Sequence, residues 1–332
     1  MNKKPVFVII TLFFLLIALA VINIGLGAIP VHPEVIMQSL YGRADPDLAY
    51  ILAYYRLPRI VLAILVGFSL ATAGVIAQAV LQNPLAAPDT LGTAGGASVA
   101  AVGATALFPT LSLSMISLTA FIGGIISTFM VYLLALKGES NTTRLALVGI
   151  SVGAFCSAGV DLAVLRMDTN VQTALLWLNG SLFGREWEHV IQLLPFSIPL
   201  FLAALLLAKA LDSLRLGQEV ATGLGLRVEV YKVIMLLVAV LLTTSSIATA
   251  GTVGFLGLIS PHIARQLVGH AHKFVLPVAG LVGSIIFLLA DSIGRGAMPP
   301  IEVPAGLITA VLGVPYFLFL LWQQSRKEKK AV

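Results

Sequence analysis

The chain reads as an all-α polytopic membrane protein with about ten transmembrane helices, and three observations carry that reading. Only 11% of its 332 residues are charged, while 58% are hydrophobic, against about 25% charged in an ordinary soluble domain. Uncharged apolar runs of about 20 residues, each long enough to cross a bilayer, recur from end to end, and the mean hydropathy is +1.01. The alternating ten-residue pattern of an outer-membrane barrel is missing.

The first span, residues 6–28, follows Lys3 and Lys4. Its apolar core is too long for a signal-peptide h-region and no small-x-small site closes it, so it reads as a retained anchor. The second, 50–81, opens on Arg56-Leu57-Pro58-Arg59 and runs into a polar double-proline turn, Gln82-Asn83-Pro84-Leu85-Ala86-Ala87-Pro88. Spans at 92–108 and 113–136 follow, then a turn with Asn141-Thr142-Thr143, then a span at 143–165. That span holds the single cysteine, Cys156, which excludes an internal disulfide and argues against a metal cluster. Further spans lie at 190–209, 230–250, 275–293 and 306–322, with a short element at 258–268. Together they form one transmembrane domain over 1–332, with both termini on the same side.

Charge orients this topology. Fourteen of the 20 Lys and Arg residues fall on the side of the termini, and nine of the 15 acids on the other. The positive-inside rule makes the terminal side cytoplasmic. It also accounts for the net charge of +5 without a nucleic-acid partner, since the basic residues sit in short loops.

Residues 251–277 mix apolar and polar groups most closely: His262, Arg265, His270, His272 and Lys273 crowd around Ser260-Pro261. Polar groups are costly in hydrocarbon and proline removes a helix hydrogen bond, so a broken, short or re-entrant helix ending at the cytoplasmic face is expected. The histidines read as a polar helix end rather than as metal ligands. Ala71–Gly74 recurs in sequence as Ala248–Gly251, and Pro84 pairs with Pro261 at the same offset; five intervening spans would make a true repeat inverted.

Chemistry-bearing motifs are absent. No G-x-x-x-x-G-K-[ST] occurs, so this chain lacks a P-loop for ATP. No H-E-x-x-H, nucleophile elbow or carboxylate pair occurs either, and no cofactor is expected. Asp161 and Asp291 are the interior acids nearest to a coupling role, and both fall toward outer span ends. The driving energy therefore comes from elsewhere.

Three features stay open on composition alone. Leu211–Lys232 is the one sizeable polar island on the cytoplasmic side, with Leu214, Leu216, Val220 and Leu224 as an apolar stripe and Gly217, Gly223 and Gly225 as breaks. It fits an interfacial helix on lipid or a docking element for a protein. Arg56, Arg59 and Arg295 lie outside against the charge trend; they suit carboxylates, either local ones such as Asp45, Asp47 and Glu302 or those of a partner. The Asn83 and Thr142 turns are ordinary turns or the inner mouth of a pathway.

The order and spacing of several pieces resemble one family over nearly the whole chain. They are Arg56-Leu57-Pro58-Arg59; Gly74 with Gln78, Asn83-Pro84-Leu85-Ala86 and Leu91-Gly92; Leu216-Gly217 with Ala221 and Leu224-Gly225; Gly254–Leu258 with Pro261-His262 and Arg265; Ala290-Asp291 with Arg295; and Pro304-Ala305-Gly306 with Thr309, Gly313 and Pro315-Tyr316-Phe317. The chain is similar to the FecCD-type permeases, the membrane subunits of bacterial ABC importers for ferric siderophores, haem and cobalamin.

The resemblance implies a type II ABC importer permease fold and no catalysis by this chain. Its implied partners are two cytoplasmic ATP-binding subunits, a second permease subunit, membrane lipid and an extracytoplasmic substrate-binding protein. By resemblance, residues 211–227 look like coupling helices, through Leu214, Gly217, Glu219, Ala221, Leu224 and Gly225. Asn83, Pro84, Leu85, Thr142 and Thr143 fall at the family's cytoplasmic gates. Arg56, Arg59 and Arg295 match outer arginines that meet glutamates of the binding protein. Glu302 keeps the acid that often precedes the closing Pro-Gly motif.

Overall fold

The computed structural model describes residues 4–26, 31, 34, 45–135, 142–167, 171–297 and 301–331. Its helices in chain order are α1 (Lys4–Gly25), α2 (Pro46–Val80), α3 (Thr93–Leu107), α4 (Leu113–Ala135), α5 (Thr142–Leu165), α6 (Val171–Leu178) and α7 (Trp187–Leu206). There follow α8 (Ala208–Arg215), α9 (Gln218–Gly223), α10 (Val228–Ala250), α11 (Leu256–Val268), α12 (His272–Gly296) and α13 (Ala305–Ala331). Among the described residues, seven helices are long and apolar enough to cross a membrane: α1, α2, α4, α5, α7, α10 and α12. Helix α3 and the Ala305–Phe319 part of α13 are shorter apolar helices. With the 13-residue α11, they fall where the sequence expects its ten elements.

Burial separates an inner set from an outer one. In their most apolar stretches, α2 is 78% buried and α10 and α12 72% each, against 11% for α1 and 17% for α5. Large apolar residues of the outer helices, such as Phe7, Phe14, Phe129 and Ile191, are exposed, as side chains facing lipid must be. Inside, Ile76 of α2, Leu211 and Leu214 of α8, Met235 and Leu242 of α10 and Leu276 of α12 pack into one buried cluster. Small residues set the helix spacing. A Cβ on Gly67 would overlap the backbone of Gly283 in α12, and one on Gly74 would overlap Gly257 in α11. Hydrocarbon drives no helix association, so such close backbone approach supplies the packing attraction.

Helix α2 changes character along its length. Asp45 caps it, its carboxylate accepting from the Asp47 amide at 2.9 Å. A π-helical turn, Ile51–Arg56, then precedes the regular helix Leu57–Val80. Pro58 has no N–H to give the carbonyl four residues back, and the widened turn sits where that bond is missing. Tyr50, Tyr54 and Tyr55 cluster there, with Tyr50 stacked on Tyr54 at 4.7 Å and all three about half exposed, as in an interfacial aromatic belt.

Of the broken, short or re-entrant forms expected around Pro261, the short one occurs: Pro261 lies inside the continuous 13-residue α11, and the irregularity precedes it at Phe255, whose φ is +67°. Two expectations change. The repeated ATAG letters sit in unlike settings: Ala71–Gly74 is helix interior, whereas Gly251, at φ +77°, ends α10. That register is therefore not a structural repeat. Helix α6 was not expected, because eight residues leave too short a periodic signal.

Candidate functional site

Two polar clusters form at opposite ends of α2 and α12. Arg59 in one and Gln78 in the other lie on the same helix, Leu57–Val80, separated by about 29 Å along its axis.

At the first end, Arg59 meets Asp291 of α12: Nη2 donates to Oδ1 at 2.9 Å and Nε to both carboxylate oxygens at 3.1 Å. The same guanidinium reaches Glu302 at 2.8 and 3.2 Å. Asp291 also pairs with Arg295, one turn on, at 3.2 Å. Arg295 donates to the Leu26 carbonyl at 3.1 Å and to Asn23 Oδ1, and Asn23 donates to Ser292 Oγ, which ties α1 to α12. Arg56 is buried and donates to the Ile24 carbonyl at 2.5 Å. The three predicted arginines thus converge. Of the local acids expected to pair with them, Glu302 does so, while Asp45 is used in its helix cap. Asp291 was missed as a partner, although its i,i+4 spacing from Arg295 is a readable signal.

A cleft of about 290 Å³ opens here, lined by Tyr55, Arg56, Arg59, Phe183, Arg185 and Arg295 among others. Arg185, which the sequence reading did not single out, is buried in the loop between α6 and α7. No spacing rule would have selected it.

At the other end the Gln82–Leu85 turn is tightly built. Gln82 has φ +49°, and its side chain donates to the Leu214 carbonyl of α8 at 2.8 Å. Asn83 N donates to the Gln78 carbonyl at 3.2 Å, and the Asn83 side chain accepts from the Leu85 amide at 2.9 Å. Asn83 and Pro84 are exposed and Leu85 half-buried. Asn141 and the side chains of Thr142 and Thr143 lie outside the described residues; the backbone of the two threonines opens α5. A second cleft of about 290 Å³ lies beside the turn, lined by Gln78, Gln82, Asn83, Arg215, Arg265 and His270 among others. Arg265 donates to the Gln78 side chain. Desolvation and the charges of Arg215 and Arg265 hold the His270 pKa below its ordinary value. The histidines separate: His272 pairs with Asp212 of α8 at 2.6 Å, and His262 lies 2.9 Å from the Gln266 side chain.

The polar island folds as two short helices, α8 and α9, divided at Gly217 (φ +107°) and closed at Gly225 (φ +84°). Gly223 remains helical, so two of the three expected breaks occur. The expected apolar stripe splits. Leu214 and Ala221 point into the chain's own core at 1% and 0% exposure, whereas Leu216, Val220 and Leu224 stand out at 64%, 49% and 67%. Two faces of one short segment thus serve opposite ends, because α8 must anchor on α2 and α12 before anything else can be displayed. Leu214 and Ala221 hold the segment, while Leu216, Val220 and Leu224 stand exposed beside the exposed Glu219.

An inner helix pair carrying a polar cluster at each end, among long apolar helices with exposed apolar faces, is the architecture of a multi-pass membrane protein. The chain belongs to the FecCD transport family, which matches residues 15–323. It is similar to the Fe(3+)-citrate import system permease protein YfmE of Bacillus subtilis (strain 168), at 43% identity over 327 residues and 98% of each chain. The Fe(3+) dicitrate transport system permease protein FecD of Escherichia coli (strain K12) is 38% identical, covering 91% of this chain and 94% of that protein. Among solved structures, a metal-chelate type ABC transporter in an inward-facing conformation superposes with a TM-score of 0.85 at 29% identity, over 95% of this chain and 98% of that one.

Proposed function

We propose that this chain is the membrane-spanning permease subunit of an ABC importer that carries a ferric siderophore or related iron chelate into the cytoplasm. The observation that carries this is the family match across nearly the whole chain, joined to relatives named for ferric citrate, hydroxamate and siderophore transport. Haem, named for a relative 35% identical, and cobalamin are the alternative cargoes.

The chain does no bond chemistry, so its work is a difference in stability between two conformations. ATP hydrolysis belongs to two cytoplasmic subunits seated against α8 and α9, which places both termini in the cytoplasm. The exposed Leu216, Val220 and Leu224 support that seat, and the Gln82–Leu214 bond joins it to the Asn83–Leu85 gate. A second permease subunit, the same or homologous, completes the pathway. On α5, Ser151, Ala154, Ala158 and Asp161 recur at helical spacing and are exposed; small and polar, they suit a wet pathway or a partner better than lipid. A substrate-binding protein docks at the other end, where its glutamates would meet Arg56, Arg59 and Arg295.

The deciding experiment is iron-chelate accumulation in proteoliposomes holding the permease pair and ATPase subunits, with the binding protein outside the vesicle and ATP within. ATP-dependent uptake is expected. Uptake that ignores ATP and follows an ion gradient would instead make the chain a secondary transporter. Charge reversal of Arg59 together with Arg295 should weaken capture of the binding protein; unchanged affinity in a complex of normal thermal stability would remove the docking assignment.

A further inference from the structure

The outer cleft holds a cation that neither the internal ion pairs nor the docking assignment uses. Arg185 is 5% exposed and lines the cleft. Arg59 and Arg295 share Asp291, and Arg59 also pairs with Glu302, but no carboxylate among the described residues lies within ion-pair reach of Arg185. Its Nη1 is 3.0 Å from His189 Nε2, and its Nε has no hydrogen-bond partner among the described residues. Burial pushes its pKa down to about 10, so it stays charged at neutral pH. A buried charge without a counter-ion is costly, and a guanidinium fork matches a carboxylate in geometry.

The loop that carries it is held rigidly. Ser181 N donates to the Ala250 carbonyl at 2.8 Å, and Gly306 N to the Gly180 carbonyl at 2.9 Å, which pins the loop to the end of α10 and the start of α13. Such a preset donor loses little entropy when a ligand arrives. At the rim, Tyr55 and Phe183 are 50% and 58% exposed. Arg185 lines the same cleft, so a small anion that enters it can reach the guanidinium.

We propose that Arg185 forms an anion site in the outer cleft that takes a carboxylate of the incoming ferric chelate on its way into the pathway. The inference rests on the importer reading above.

The test uses the full importer complex without its binding protein, titrated with citrate and with ferric dicitrate. Trp187, two residues from Arg185 and hydrogen-bonded to the Ala53 carbonyl at 2.8 Å, gives a fluorescence signal. Saturable binding is expected, weakened about tenfold or more in Arg185→Gln, since a charge-assisted hydrogen bond is removed, and largely restored in Arg185→Lys. Equal affinity in the wild type and in Arg185→Gln overturns the site. So does an Arg185→Gln complex that binds citrate normally but captures the binding protein less tightly, because the carboxylate then belongs to that protein. Should the variant not assemble, a structure of the wild-type complex with citrate decides, with density on Arg185 expected and citrate held elsewhere overturning the proposal. Transport is read separately. Wild-type vesicles that bind citrate at Arg185 yet accumulate no iron chelate overturn the importer reading and the ligand's identity. Unaltered citrate affinity in a transporting Arg185→Gln complex overturns the site alone.

Discussion

Asp291 is the carboxylate that Arg59 and Arg295 share at the outer end. Its carboxylate is 1% exposed and faces both Arg59 and Arg295. Removing one member of a buried ion pair leaves an uncompensated charge, at a cost of about 3 kcal/mol. Asp291→Asn should therefore lower the unfolding midpoint of the detergent-solubilised protein markedly. Glu302→Gln should do so less, since Glu302 is 29% exposed and solvent screens its share. Equal losses for the two would show that exposure does not set the ranking.

At the scale of elements, the Gln82–Leu214 bond and the Gly74–Gly257 contact make opposite demands. The bond is a link: Gln82→Ala removes a donor at the membrane surface and costs about 1 kcal/mol of stability. If the bond transmits motion, this variant should keep ATP hydrolysis by the assembled complex while chelate uptake falls; parallel loss of both would make Gln82 merely structural. The contact is a packing limit. Gly74→Leu forces α2 away from α11 and should cost about 3 kcal/mol, seen as less protein in the membrane. Gly217→Val meets no neighbour at its Cβ, so only its positive φ opposes the change, at about 1–2 kcal/mol.

For the whole molecule, the question is whether α8 and α9 meet protein or lipid. Leu216→Asp with Leu224→Asp changes only exposed side chains, so folding should be unaffected while co-purification of the ATPase subunits is lost. Retained co-purification would return the segment to the lipid surface. A double change on α5, Ala154→Leu with Ala158→Leu, should leave a stable chain but block uptake if that face lines the pathway or the subunit interface.

The sequence by itself determined the order and placement of the apolar helices, because apolar length is a local quantity that can be read along the chain. Nine of the ten expected spans agree with helices to within a few residues, while α13 runs on to Ala331, and seven of the described helices are long and apolar enough to cross a membrane; Gly217 and Gly225 were readable as breaks because positive φ favours glycine. Tertiary structure alone decided what the polar residues touch. Asp291 reaches Arg59 across 232 positions and Gln82 reaches Leu214 across 132, and no periodic pattern encodes such pairings. It also decided which side of a short helix is anchored, as with Leu214 against Leu216. Finally, it left Arg185 buried with no acid in ion-pair reach among the described residues, since counter-ion balance is a property of packing in three dimensions.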